Sequence, residues 1–393
     1  MPALSAYLTV GVAAALVTFI TVPLVRRLSI RIGAVAPPDE RHVHLVPTPC
    51  GGGAAMMVGV IAAVGVAFTL DEFSDVMAAR TEMLGVVLAA VIIWSVGFVD
   101  DVREISAPAK LAGMVLAGSV MSLTGVSILF FRVPFFELLF LSADWSALVT
   151  VLWVVGMANV VNLIDGLDGL AGGIVAIASA TFLLYTLQLG NEGVLDPSNP
   201  GALWASITFG VCVGFLPHNV HPARIFMGDG GALLLGLLMA ASTMSVGGRT
   251  TADFSGQAFF FFAPIFIPLV ILGVPILDTV FAVLRRAAKR NAVAEADKEH
   301  MHHRLMRLGH GHRRSVLILW LWTALLSAFV LYPTYTGEGD AIVPIGVAAL
   351  ALGLFSVFHP RLRGAAGEID ESELDAIEAA SGRVRSPRRA RRP

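Results

Sequence analysis

Charge is what this chain has least of. Asp, Glu, Lys and Arg make up 14% of its 393 residues, where a soluble chain carries about 25%. A water-soluble domain of this size needs a polar skin, and the shortage excludes one. Neither sign dominates: 27 basic against 29 acidic side chains leave a formal net charge of −2, which argues for no nucleic-acid surface and no acidic partner. Cysteine is nearly missing as well. Cys50 and Cys212 are too few for a disulfide framework, and both fall at or near the cytoplasmic side of the expected topology, where no redox role is foreseen. There is no repeat period and no second soluble domain. Apolar residues are what the chain has in excess, 56% by the broad count with a mean hydropathy of +0.77. The lipid bilayer is the solvent that suits such a chain, and the expected fold class is all-α, a polytopic membrane protein.

A membrane helix takes about 20 mostly apolar residues. Eleven runs qualify: Tyr7–Val25, Gly52–Leu70, Met83–Val99, Leu111–Phe130, Ala147–Leu163, Leu170–Leu189, Gly201–Leu216, Gly231–Val246, Phe259–Val283, Val316–Tyr332 and Ile342–Phe358. The first lacks a basic start and is followed by Arg26 and Arg27, so it reads as a span and not as a cleaved leader. Basic residues are retained on the cytoplasmic side. With the N-terminus outside and the C-terminus in the cytoplasm, every one of the 27 Lys and Arg except Arg80, Arg132 and Arg249 lies in an inner connection or in the tail. Residues 1–358 are then expected to form one multispan domain of the plasma membrane, with its active site facing the cytoplasm. Residues 359–393 read as a disordered charged tail near anionic lipid.

The unusual polar clusters fall in those same inner connections. Asp100 and Asp101 close the third span, with Arg103 and Lys110 just beyond. Adjacent carboxylates at the hydrocarbon edge repel each other and are costly to desolvate, so a cation should compensate them. Either this is a solvated helix end paired with Arg103 and Lys110, or a site for a metal-bound phosphate. Further on, Asn159 and Asn162 stand three residues apart, as do Asp165 and Asp168, and on a helix each pair would share a face. Glycines 166, 169, 172 and 173 suit tight helix packing as well as close approach of a ligand. Packing alone does not account for two amides and two carboxylates at a membrane boundary.

Pro222 to Gly231 leads into the eighth span with a single carboxylate, Asp229, among glycines. It offers a hard oxygen ligand for Mg²⁺ beside backbone N–H groups able to face phosphate. Phe226 is either a stacking surface for a base or an interfacial anchor. A basic loop then carries His300, His302, His303 and Arg304, followed by His310, His312, Arg313 and Arg314. With no cysteine nearby, zinc is a poor fit, and the set suits a diphosphate, or else lipid headgroups. The loop Asp39 to Pro49, with His42 and His44, has the same basic, His-bearing character and is stiffened by proline. Asp278 reads as a structural ion pair with Arg285. A transporter would place polar residues near the bilayer midplane and in repeated halves; here they gather at one edge without a repeat.

Taken in order, Asp39-Glu40-Arg41-His42-Val43-His44, Asp100-Asp101, Asn162-Leu163-Ile164-Asp165-Gly166-Leu167-Asp168-Gly169, Phe226-Met227-Gly228-Asp229 and His300-Met301-His302-His303 resemble the polyprenyl-phosphate N-acetylhexosamine-1-phosphate transferases, glycosyltransferase family 4. The His-X-His-His form with Arg304-Leu305 and Gly309-His310 is similar to the branch that uses UDP-N-acetylglucosamine (UDP-GlcNAc). The peptidoglycan branch, which takes a muramoyl-pentapeptide nucleotide, more typically has three consecutive histidines. The basic tail is similar to actinobacterial members, which implies decaprenyl or undecaprenyl phosphate as acceptor. Two positions depart from the family pattern, Ala232 where many relatives have Ser and Met114 where Gln is common.

The resemblance implies transfer of a sugar 1-phosphate to polyprenyl phosphate with release of UMP, supported by Mg²⁺ or Mn²⁺. It implies Asp229 and Asp100 as metal ligands and Asp100, Asp101, Asp165, Asp168, His302 and His303 as catalytic. His44, Lys110, Asn159, Asn162, Phe226, His300 and Arg304 would bind substrate. The implied partners are UDP-GlcNAc, polyprenyl phosphate and the bilayer, with no nucleic acid and a homodimer as the expected assembly.

Overall fold

A computed structural model describes residues 1–36, 47–132, 138–247, 310–337 and 342–362. Helices dominate: α1 Leu4–Ile32, α2 Gly52–Thr69, the short α3 Ser74–Ala78, α4 Arg80–Arg103, α5 Ala107–Leu123, α6 Ala143–Ile164, α7 Leu170–Asn191, α8 Gly201–Asn219, α9 Gly228–Gly247, α10 His312–Thr336 and α11 Ile342–Leu362. Ten of the eleven expected spans coincide with one of these helices. The ninth, residues 259–283, lies outside the described residues, as does Asp278. Eight of the helices are long and apolar enough to cross a membrane, and the chain is an all-α polytopic membrane protein.

The fourth span needs correcting. Apolar residues continue to Phe130, but α5 stops at Leu123 and the chain turns at Gly125, whose φ is 97°. It then enters a hairpin, β3 Phe130–Arg132 against β4 Leu138–Phe140, with Phe130 opposite Phe140. Composition alone does not register a turn made by one glycine. A second small pairing, Val35–Ala36 (β1) with Thr48–Pro49 (β2), closes the connection between α1 and α2.

The helices are sorted by burial. In α9, 94% of the most apolar stretch is buried inside the protein, against 28% in α1. α9 is therefore the central post, packed against α2, α4, α6 and α8, while α1 lies at the rim and turns Leu8, Leu16, Ile20 and Leu24 outward. Lipid tails are as apolar as leucine, so helices in a membrane associate through close packing and not through expulsion of water. Small residues make that possible here. A side chain at Gly236 of α9 would stand 2.5 Å from the Cα of Ala158 on α6, and the Trp153 indole of α6 donates to Thr243 of α9 at 3.0 Å.

Candidate active site

The start of α9 is wedged between α2 and α4. Gly53 on α2 lies against the backbone of Gly230 and Gly231, and a Cβ at Gly97 on α4 would stand 2.5 Å from the carbonyl carbon of Asp229. The connection before α9 is stapled to the start of α2: the Phe226 N–H donates to the Pro49 carbonyl, and Gly52 and Gly53 N–H donate to the carbonyls of Phe226 and Met227, all at 2.9–3.0 Å. Phe226 is half-buried there. Asp229 thus reaches the end of the bundle where α4 finishes and α5 begins.

Four charged groups meet at that point. Lys110 Nζ lies 2.7 Å from Asp100 Oδ2 and also pairs with Asp229. Asp100 Oδ1 accepts the Ile105 N–H at 2.8 Å, which ties the carboxylate to the chain just past α4. Asp101 does something different: its two oxygens accept the N–H groups of Asp229 at 2.7 Å and Gly230 at 3.2 Å. This corrects one expectation. The sequence suggests backbone N–H groups here able to face phosphate, but a carboxylate of the chain takes two of them, as the positive end of a helix favours. The side chain of Asn162, near the end of α6, stands beside the Asp229 carboxyl. Asn159, one turn earlier, donates to the Val155 carbonyl at 2.8 Å and to the Met114 sulfur at 3.3 Å, so the Met that departs from the family pattern packs directly on this amide.

Asp165 and Asp168 do not share a helix face, because α6 ends at Ile164 and both lie in the turn before α7. Burial, together with the charges of Asp229, Asp101 and Asp168, pushes the Asp165 carboxyl up to about 8. Asp168 behaves oppositely. Burial would raise it, but hydrogen bonds from His221 and the Ala223 N–H and the charge of His312 hold it below the ordinary carboxylate range. Its Oδ2 accepts from His221 Nδ1 at 2.7 Å and from Ala223 N–H at 3.0 Å. Nearby, the Cys50 thiol is pushed up to about 12, chiefly by burial and then by the charge of Asp101. It is protonated at neutral pH.

All these contacts lie at one end of the bundle. Arg26, toward the C-terminal end of α1, donates to the Arg224 carbonyl at 3.0 Å, and the Gly169 N–H to the Asn219 side chain at 3.0 Å. The structure therefore gathers Asp100, Asp101, Lys110, Asn162, Asp165 and Asp229, with Asn159 and Phe226 at the margin and Asp168 turned to the side. His44, His300, His302, His303 and Arg304 lie outside the described residues. His310 bonds the Ser356 carbonyl of α11 at 2.8 Å. Two participants carry no motif of their own in the sequence: Asn219, and His221, whose one signal is that it immediately precedes the Pro222–Gly231 cluster.

A family model, described as glycosyl transferase family 4, matches residues 83–247. The chain is 35% identical over 359 residues to a decaprenyl-phosphate N-acetylglucosaminephosphotransferase of Mycolicibacterium smegmatis, covering 90% of this chain and 88% of that protein. It is 37% identical over 307 residues to a probable undecaprenyl-phosphate N-acetylglucosaminyl 1-phosphate transferase of Bacillus subtilis, covering 78% and 79%. A phospho-N-acetylmuramoyl-pentapeptide-transferase of Desulforudis audaxviator is 32% identical over 324 residues, covering 77% and 89%.

Proposed function

The chain belongs to glycosyl transferase family 4, and from that premise we propose that it transfers N-acetylglucosamine 1-phosphate from UDP-GlcNAc to a polyprenyl phosphate, on the cytoplasmic side of the plasma membrane. An oxygen of the acceptor phosphate attacks the sugar-linked phosphorus of the donor. The bond from that phosphorus to the bridging oxygen breaks, and UMP leaves with the electron pair. The product is a polyprenyl diphosphate sugar.

One observation carries the reading: three carboxylates from α4 and α9 and the ammonium of Lys110 converge at the end of the bundle where Asp165 and Asn162 also sit. The chemistry requires two anions to be brought together, and such a reaction depends mainly on positioning and electrostatic compensation. Mg²⁺, with Mn²⁺ as its substitute, fits the donor set, since Asp229 and Asp100 present hard oxygens that already share one cation, Lys110. When bound, the ion neutralises the donor diphosphate and the departing UMP. Asp101 has both oxygens engaged by α9, so its part is to hold Asp229 in place. Asp100 is left to orient the acceptor phosphate, a group largely dianionic at neutral pH and therefore little in need of a base. Lys110 attracts the phosphates, while Asn162 and Asp165 hold nucleotide or sugar.

The choice of sugar rests on the relatives, which are more similar on the N-acetylglucosamine side (35–37% identity) than on the pentapeptide side (32%). The test is to incubate the purified protein with polyprenyl phosphate, Mg²⁺ and either labelled UDP-GlcNAc or the muramoyl-pentapeptide nucleotide. Lipid diphosphate sugar and UMP are expected with the first donor only. Turnover with the pentapeptide donor alone would overturn the branch and keep the family chemistry; no product with either would overturn the enzyme reading.

A further inference from the structure

α1 and α8 run side by side in the same direction: Gly11 lies against Ser206 and Gly214 against the backbone of Ala15, so the two helices advance together along the bundle. Toward their C-terminal ends, Pro23 lacks the N–H that would have bonded to the Phe19 carbonyl. His218 of α8 supplies the donor. Its Nε2 stands 3.3 Å from that oxygen, and its ring lies beside the Phe19 ring with centroids 4.8 Å apart. A carbonyl only accepts, so Nε2 carries the proton. Three residues past Pro23, Arg26 Nε donates to the Arg224 carbonyl at 3.0 Å, and the Arg224 N–H donates to the His218 carbonyl at 2.9 Å. Phe19, Pro23 and Arg26 follow one stripe of α1, at i, i+4 and i+7. All three are exposed, as are Val213 and Pro217 of α8 and Val220 just beyond it.

The seam between α1 and α8 thus has an apolar floor and a cationic rim. Arg224 is exposed like Arg26, and among the described residues neither pairs with a carboxylate. Two guanidinium groups brought to one corner repel each other until an anion joins them. We propose that this seam is a binding site for one anionic phospholipid. Arg26 and Arg224 take the phosphodiester through planar forks suited to it, and an acyl chain lies along Phe19, Pro23, Val213 and Pro217. The bound headgroup fastens α1 to the connection that leads into α9. The site goes beyond the transfer reaction and shares with that reading only the placement of this end of the bundle at the cytoplasmic leaflet, where anionic lipid attracts basic side chains. A free phosphate would meet the same arginines but leave the apolar floor uncovered. A two-fold partner copy would bring the same arginines against these, so like charges would oppose it.

The experiment follows the melting temperature of the full chain in neutral maltoside micelles during titration with phosphatidylglycerol, with phosphatidylcholine or with inorganic phosphate. Binding to the folded state raises that temperature, and only phosphatidylglycerol should do so strongly. One basic side chain near an anionic surface is worth about fivefold in binding. Arg26→Gln or Arg224→Gln should therefore raise the half-saturating phosphatidylglycerol fraction about fivefold, and the double variant up to about 25-fold. Arg31→Gln removes the same charge from another face of α1 and should change it by less than about twofold. An equal effect of Arg31→Gln would reduce the binding to diffuse surface charge and overturn the proposal. Equal stabilisation by phosphatidylcholine or by inorganic phosphate would overturn it too, as would a melting temperature that follows protein concentration and not lipid, the mark of a second copy. Should the variants fail to fold, the wild type decides: phosphatidylglycerol with a photoactivatable acyl chain should label residues 12–24 or 213–220, and labelling that spares both refutes the site. None of these measurements reads sugar-phosphate transfer, so this proposal and the functional reading fail separately.

Discussion

A single methyl group at position 97 tests how the site is assembled. A Cβ on Gly97 would stand 2.5 Å from the carbonyl carbon of Asp229 and from the amide nitrogen of Gly230, where ordinary contact begins at 3.4 Å. The obstacle is backbone, so it cannot rotate aside, and α4 and the start of α9 must separate by about 1 Å. The bond from the Asp229 N–H to Asp101 spans the same seam at 2.7 Å, and a shift of that size stretches it past a useful length. Misplacing a reacting group by 1 Å costs about 100-fold in rate, equivalent to about 2.7 kcal/mol of barrier. Gly97→Ala in nanodiscs, at saturating UDP-GlcNAc, polyprenyl phosphate and Mg²⁺, should therefore release UMP about 100-fold more slowly than wild type. Gly156→Ala on α6 is the control: nothing lies within 4 Å of a Cβ there, and its rate should not change. A Gly97→Ala protein with a wild-type melting temperature and a rate within about threefold of wild type would refute this account of the wedge.

Asp229→Asn should lower the rate by about 100–1,000-fold, the range for losing one group aimed at developing charge, and titration with Mg²⁺ should not restore it. Lys110→Met leaves Asp100 and Asp229 facing each other without their shared cation; it should melt earlier than wild type in EDTA, and Mg²⁺ should narrow the gap, which a thermal scan with and without the ion reads directly. The folded Asp168 carboxyl titrates below its ordinary range, so its stabilisation is complete above about pH 3.9 and is lost as pH falls through the lower folded value. Asp168→Asn should accordingly melt earlier than wild type at pH 7, and the two should converge at the acid end of a pH series; a constant gap would contradict the charged-form origin of the effect.

Much of this protein is readable without coordinates because lipid imposes a simple rule. A run of about 20 residues without charge crosses as a helix, since its backbone must satisfy its own hydrogen bonds. The rule fails where an apolar run is broken by geometry, as at Gly125, where the chain leaves α5 seven residues after Gly118 and continues as a hairpin. The chemistry was legible as an inventory. Carboxylates at a membrane boundary are costly enough that their presence points to a site, and four such clusters with a histidine-rich fifth, in family order, point to one kind of reaction.

What the order of residues could not assign is who faces whom. Asp100 and Asp101 are neighbours in the chain, but successive residues on a helix point about 100° apart, so one meets Lys110 and the other the amides of α9. Asp165 and Asp168, with the spacing of a shared helix face, are parted because α6 ends between Asn162 and the turn that carries them. His221 and His312, 91 positions apart, stack on each other only because α10 returns to α7. Composition and local order suffice for the solvent, for the spans among the described residues and for the stock of reactive groups. Their division into acidic cluster, helix fastening and stacked histidines belongs to the tertiary structure, because helix phase and packing, not distance along the chain, set which charges share a space.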